Sequence, residues 1–295
     1  MFRALPEGKL ALVTEKDVKG AVYSIDQIAG KVLAAINSRV HIFSWSETQG
    51  TESKYARSLI SHCEHQGHIL ALRVAAVGEL IAVGDLMKSV TLLAYRPGEQ
   101  RIEEVARDYQ PGWVASLCPV SDDTFLVAEN AYNVFCLTRN VEAETDDERS
   151  RLALSAEYHI GEFVNALRPG SLVARDPPAA ASLDAALPTS TFIWGSSSGA
   201  VGVIARINAD LFQFFSKVQE NISKVIQGVG GFSHSFWRSF SNERKTAPAK
   251  NFLDGDLIES FLDLRPEKQA IVVSGLGVSV EDLCKRIEAI QRATH

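Results

Sequence analysis

Residues 61–68 read SHCEHQGH and pack His62, Cys63, His65 and His68 into seven positions. Thiolate and imidazole groups at short spacing are the ligands zinc accepts. Zinc sites usually draw on two separated ligand pairs, however, and no second pair follows here. The stretch is therefore expected to be a polar loop feeding a strand at Ile69, with no bound metal or other cofactor. Catalytic chemistry is weaker still. GSSSG (195–199) lies between two apolar runs with no helix after it, so it is not a nucleophile elbow. No GxGxxG and no phosphate-binding GxxxxGK[ST] run occurs. Cys63 lies near two histidines, but no third group is in place to orient a base. No catalytic residue is assigned, and the chain reads as a non-enzyme.

The elements that would position these residues form a repeat. GKVLAAINSRVHIFSW starts at Gly30, GELIAVGDLMKSVTLLAY at Gly78, DTFLVAENAYNVFCL at Asp123 and STFIWGSSSGAVGVIA at Ser190. Each is an apolar run, a polar turn and a second apolar run, the pattern of a hairpin with a buried first strand. The starts lie 48, 45 and 67 residues apart, and the first two spacings match one four-stranded propeller blade. The third is stretched by SLVARDPPAAASLDAALPTS (171–190), rich in Ala, Pro and Ser, which reads as an inserted solvated loop. Runs at 18–25, 69–75, 113–119 and 163–170 precede the hairpins as innermost strands would. Outer strands are expected at 101–109 and 151–160, with VEAETDDERS (141–150) an acidic connector. The expectation is about four blades of an incomplete β-propeller over 1–206, without helices.

Past Ile207 the period changes. Leu211, Phe214, Phe215, Val218, Ile222, Val225 and Ile226 recur at spacings of three and four, which predicts an amphipathic helix. Asn208 or Asp210 would cap it and Gly228 would end it. Two more helices are expected at 254–264 and 279–293, the last opened by a Ser279/Asp282 capping box. Residues 207–295 thus read as a small helical domain.

Bulk properties bound the function. Hydrophobic residues make up 46% and charged residues 22%, a globular composition. No stretch approaches the ~18 apolar residues of a membrane helix. Residues 1–9 carry no secretory signal pattern, and the four scattered cysteines have no CxxC pair, so an intracellular, reduced protein is expected. The net charge of −6 sits in the first 206 residues, with 19 basic against 25 acidic, while 207–295 balances at 11 and 11. That argues against a phosphate-gripping face. A small basic cluster, Arg238, Arg244, Lys245 and Lys250, reads as solvated surface. Trp113 opens an inner strand, where its ring could pack in a core or meet a partner.

Longer motifs carry a resemblance. VKGAVYS, VGDLMKSV, EEVARDYQPGW, AENAYNVF, GEFVN, HSFWRSF and NFLDGDLIESFLDL are similar to the C-terminal third of the DNA damage-binding family, the large adaptor subunits of cullin-RING ubiquitin ligases. The similarity runs from about Glu15 to His295. Splicing-factor and polyadenylation-factor paralogues share mainly the DGDL neighbourhood. The resemblance implies the last blades of a third seven-bladed propeller and the terminal helical domain, with two upstream propellers outside this chain, so the chain is expected to be part of a longer product. It implies docking of WD40-type substrate receptors, a cullin held only by the missing second propeller, DNA reached through a partner, no membrane, and a nuclear and cytoplasmic location. Carried over by motif, the receptor surface would comprise Ala21, Tyr23 and Ser24; Ile69, Leu70, Leu72 and Arg73; Leu86 and Lys88; Arg107 and Trp113; and Phe163 and Asn165. Leu72, Trp113 and Phe163 would form an apolar floor, and Lys88, Arg107 and Asn165 polar clamps. The alternative is a nucleic-acid-associated factor of the paralogous kind, binding RNA or DNA directly.

Overall fold

The computed structural model describes residues 1–6, 8–49, 55–173, 188 and 190–294. A short hairpin of β1 (Phe2–Ala4) and β2 (Leu10–Leu12) precedes the repeat. The first four-stranded sheet follows as β3 (Val22–Ile28), β4 (Lys31–Ile36), β5 (Arg39–Gln49) and β6 (Tyr55–Gln66), antiparallel and paired in chain order. The second has the same order in β7 (Ala71–Val77), β8 (Leu80–Asp85), β9 (Val90–Arg96) and β10 (Arg101–Arg107). The third is β11 (Val114–Pro119), β12 (Thr124–Glu129), β13 (Asn133–Arg139) and β14 (Leu152–His159), with a single-turn helix α1 (Asp146–Arg149) before its last strand. The fourth has three strands among the described residues: β15 (Val164–Pro169), β16 (Ser190–Ser196) and β17 (Val201–Arg206). These are blades of a β-propeller. The second strand of each of the first three blades is almost wholly buried, as its unbroken apolar run requires.

The chain divides into two compact units, Met1–Asn130 with Cys136–Leu154, and Ala131–Phe135 with Ser155–His295. In the first, Ile28, Leu33, Val40 and Ile42 pack with Ile81, Leu93 and Tyr95 in one core between the first two blades. Main-chain N–H groups of β7 reach back to β3: Val74 donates to Ser24 Oγ (3.2 Å) and Ala76 to an Asp26 carboxylate oxygen (2.8 Å).

In the second unit strand gives way to helix between Arg206 and Ala209. Helix α2 (Ala209–Val225) is capped by Asn208, whose side chain accepts from Leu211 N–H. It buries Leu211, Phe215, Val218 and Ile222 against Ile258, Phe261, Val272, Leu283 and Ile287. Those come from α4 (Gly255–Glu259) with its following 3-10 turn, α5 (Pro266–Val273) and α6 (Val280–Thr294). Between α2 and α4 lie α3 (His234–Trp237) and a two-residue hairpin, β18 (Phe240–Ser241) and β19 (Thr246–Ala247). Among the described residues no helix is long and apolar enough to cross a membrane.

Several expectations need correction. SHCEHQGH is mostly strand, not loop: His62, Cys63 and His65 belong to β6, a long outer strand whose polar composition hid it. The acidic connector contains α1, because Thr145 accepts from Glu148 N–H and starts a turn. Helix α2 stops at Val225, before Gly228, since Ile226 is already extended. Helices α3 and α5 were not foreseen. The first is a single turn, and the second carries only one buried residue. The inserted loop expected at 171–190 lies largely outside the described residues.

Candidate functional site

The inner strands share one irregularity. Register slips between Val22 and Ser24 in β3, Ala71 and Arg73 in β7, Val114 and Ser116 in β11, and Val164 and Ala166 in β15. Each slip is a β-bulge at the second residue of the strand: Tyr23, Leu72, Ala115 and Asn165. A bulge leaves one residue unpaired and re-aims its side chain. Three of these four residues are ones the sequence nominated for partner contact. The residue just before each strand is Ala21, Leu70, Trp113 or Phe163, all four also nominated. Seven of the thirteen nominated residues therefore fall at the bulge or at the position just before the strand, a pair of positions repeated blade by blade.

In the first unit, exposed apolar side chains gather at these strand openings: Tyr23 is 41% exposed, Ile69 46% and Trp113 44%. Main-chain ties hold them. Asn37, in the left-handed region at φ 51, turns β4 into β5. Its side-chain oxygen accepts from Ala21 N–H (3.0 Å), and its carbonyl accepts from Ala71 N–H (2.8 Å). Asp85, 3% exposed, does more. One carboxylate oxygen accepts from Ile69 and Leu70 N–H, the other from Met87 and Lys88 N–H, all at 2.8 to 2.9 Å. Leu86 N–H adds a bond to the Leu70 carbonyl. One buried acid thus assembles Ile69, Leu70, Leu86 and Lys88. Lys88 forms a parallel bridge with Gly112, which sets it beside the segment carrying Trp113.

Two nominated groups also make bonds within the first unit. Arg73 is half-buried, and its Nε donates to the Ala115 carbonyl (2.9 Å), tying the second inner strand to the third. Arg107 lies on the outermost strand of its blade, where its Nε donates to Glu104 (2.5 Å) and its guanidinium covers Tyr109. Leu72 is half-buried, while Ala21 and Lys88 are exposed. Asp85, Asn37 and the bulged Ala115 were missed. A lone Asp before LMK looks like an ordinary turn residue.

The second unit holds Phe163, half-buried, and Asn165, exposed on its bulge. It also explains the two longest motifs. Asp254 of DGDL caps α4 by accepting from Leu257 N–H. Its carboxylate also accepts from His234 Nε2 (2.8 Å) and Arg238 Nε (2.6 Å) of HSFWRSF. Burial alone would raise the Asp254 pKa. The bonds from His234 and Arg238 and the Arg238 charge outweigh it and hold the carboxyl well below the usual range. Burial, reinforced by Asp254, pushes the Tyr158 phenol far up. The basic cluster is likewise engaged: Arg238 binds Asp254, and Lys245 pairs with the buried Glu157. Gly161, at φ +84, lies so close to Trp237 that a Cβ would stand 2.9 Å from the ring.

The four ligand-type residues of SHCEHQGH do not converge on one point. His62 is the extra residue of a bulge against β5, with Nε2 2.7 Å from the Tyr95 hydroxyl. Cys63 packs against the core, and His65 and His68 line a small cavity. Among the described residues no group of three or more His, Cys, Asp or Glu is placed to hold a metal.

Fold and surface together define a β-propeller protein whose chain continues into a helical bundle, each inner strand opening at a bulged position. The chain belongs to the CPSF A subunit region family, whose model matches residues 3–263. It is 49% identical over 287 residues to DNA damage-binding protein 1b of Arabidopsis thaliana, and 49% identical over 286 residues to DNA damage-binding protein 1 of Solanum lycopersicum. It is 47% identical over 289 residues to DNA damage-binding protein 1 of Oryza sativa subsp. japonica. Each match covers 97 or 98% of this chain and 26% of the relative, so the chain spans about a quarter of the length of the curated relatives it matches.

Proposed function

We propose that this chain is the end of a third propeller and the C-terminal helical domain of a DNA damage-binding adaptor. In this reading it docks WD40-type substrate receptors for a cullin-RING ubiquitin ligase and performs no catalysis itself. Its DNA-damage role follows the names of its relatives. The observation that carries the docking reading is the repeated bulge, which in the first unit turns Tyr23 and Leu72 out of register near the exposed Ile69 and Trp113, and in the second unit does the same for Asn165 near Phe163. Partly exposed aromatic and aliphatic anchors on a fixed main chain are what an apolar helix or loop of a partner needs. The nucleic-acid alternative draws support from the family description. It is opposed by the acidic blades and by Arg238 and Lys245, whose charges are spent inside the second unit.

The test is Trp113→Ala with Leu72→Ala, placed in the full-length adaptor. Receptor pull-down should be lost while circular dichroism and the thermal midpoint stay near the parent. Normal pull-down would sink the reading. A salt-sensitive gel shift with this chain alone would favour the nucleic-acid reading instead.

A further inference from the structure

Thr91 is an oddity in the first unit. It sits in β9 at 6% exposure, and its hydroxyl is fully enclosed without a hydrogen-bond partner from the protein. A buried hydroxyl left without a partner is costly, and native proteins rarely tolerate one. Thr91 also lines a cavity of about 10 Å³. The same walls carry His65, Gly67 and His68 from the end of SHCEHQGH, Asp85 from β8, and Val40, Ala71, Val83 and Leu93. That volume is about one water probe, the minimum that holds a single water.

The chemistry of the walls narrows the occupant. Asp85 already accepts four N–H bonds, two on each oxygen, so its carboxylate has no lone pair left to coordinate a cation directly. The volume excludes an organic ligand. What fits is a small neutral molecule that both donates and accepts. We propose that one internal water occupies this cavity, bonded to Thr91 Oγ1 and to polar groups of His65, Gly67 or His68. Such a water would join the outer strand of the first blade to the third strand of the second. It would give the end of the histidine-rich stretch a structural role as a water cradle behind the Asp85 loop. This assignment stands independently of the docking proposal.

Thr91→Val keeps the shape of the side chain and removes the hydroxyl, and Thr91→Ser keeps the hydroxyl. With a water bound, Thr91→Val strands it and should lower the thermal midpoint by about 2–4 °C, while Thr91→Ser should stay closer to the parent. With a dry cavity, Thr91→Val relieves an unsatisfied hydroxyl and should raise the midpoint. A high-resolution crystal structure of the parent should show a density peak 2.7–3.2 Å from Thr91 Oγ1. A midpoint that is raised or unchanged in Thr91→Val, or a cavity without density, overturns the proposal.

Discussion

Asp85 shows how one side chain can set a surface it does not itself form. Its four accepted N–H bonds fix both the lead into β7 and the turn after β8, so Ile69, Leu70, Met87 and Lys88 depend on it together. Asp85→Asn tests this. The amide keeps one acceptor oxygen and turns an NH₂ toward two N–H donors, leaving those donors unsatisfied. Hydrogen bonds to a charged acceptor are worth about 1.5–3 kcal/mol, so a loss of about 2–3 kcal/mol is expected. Urea unfolding should show it as a lower midpoint at unchanged slope. Hydrogen exchange should show faster amides at either 69 and 70 or 87 and 88. A stability change under about 0.5 kcal/mol would mean that the loop holds without the carboxylate.

Among the elements, Asp254 links a helix to the segment that packs beside it. Its carboxylate caps α4 and also receives His234 and Arg238. Asn208 caps α2 with a neutral amide and makes the same kind of N–H bond. Losing an ordinary cap costs about 1 kcal/mol, whereas removing one partner of a buried ion pair costs about 3–5 kcal/mol because the other charge stays unpaired. Asp254→Ala should therefore destabilise the second unit several times more than Asn208→Ala. Chemical denaturation followed by Trp237 fluorescence would compare them, and equal losses would remove the clasp from the account. How legible these elements are in the sequence follows from the same physics. The hairpins β4–β5, β8–β9, β12–β13 and β16–β17 are visible because buried strands need unbroken apolar runs on either side of a turn. Helix α2 is visible because one apolar stripe recurs at helical spacing. Strand β6 is hidden because an outer strand tolerates polar residues, and its histidines looked like ligands. The bulges are hidden because the bulged residues of VYS, ALR, VAS and VNA are Tyr, Leu, Ala and Asn, with no chemistry in common. Trp113 and Phe163 are legible through family resemblance, while the Asp85 clasp joins segments 15–16 residues apart through main-chain N–H groups that leave no mark on composition.

For the molecule as a whole, acidity should act in two stages that its titrating groups set. His41, His62 and His159 are all held below the ordinary imidazole pKa, chiefly by burial. The Lys31 charge adds to the effect at His62 and the Arg238 charge at His159, while Glu64 partly opposes it at His41. In the window between those depressed folded values and the unfolded value near 6.5, the unfolded chain binds more protons than the folded one. Stability therefore rises with pH there, is fully present above about pH 7, and is lost as the pH falls through the folded values. His41 and His62 lie in the first unit and His159 in the second, so both units should weaken between about pH 7 and 5. Asp254 acts lower. Its folded pKa lies below the unfolded value near 3.9, so its contribution is complete above about pH 5 and is lost as the pH falls below about 4. That second loss belongs to the helical unit. Urea midpoints at pH 7.5, 5.5, 4.5 and 3 should trace an early decline and then a steeper one carried by Trp237. Replacing His41, His62 or His159 by Gln, one at a time, should flatten part of the early decline. Asp254→Asn should shrink the late one, leaving the smaller share that Glu103, Glu220 and Asp282 carry. A midpoint constant from pH 7.5 to 5 would contradict the burial argument for all three histidines.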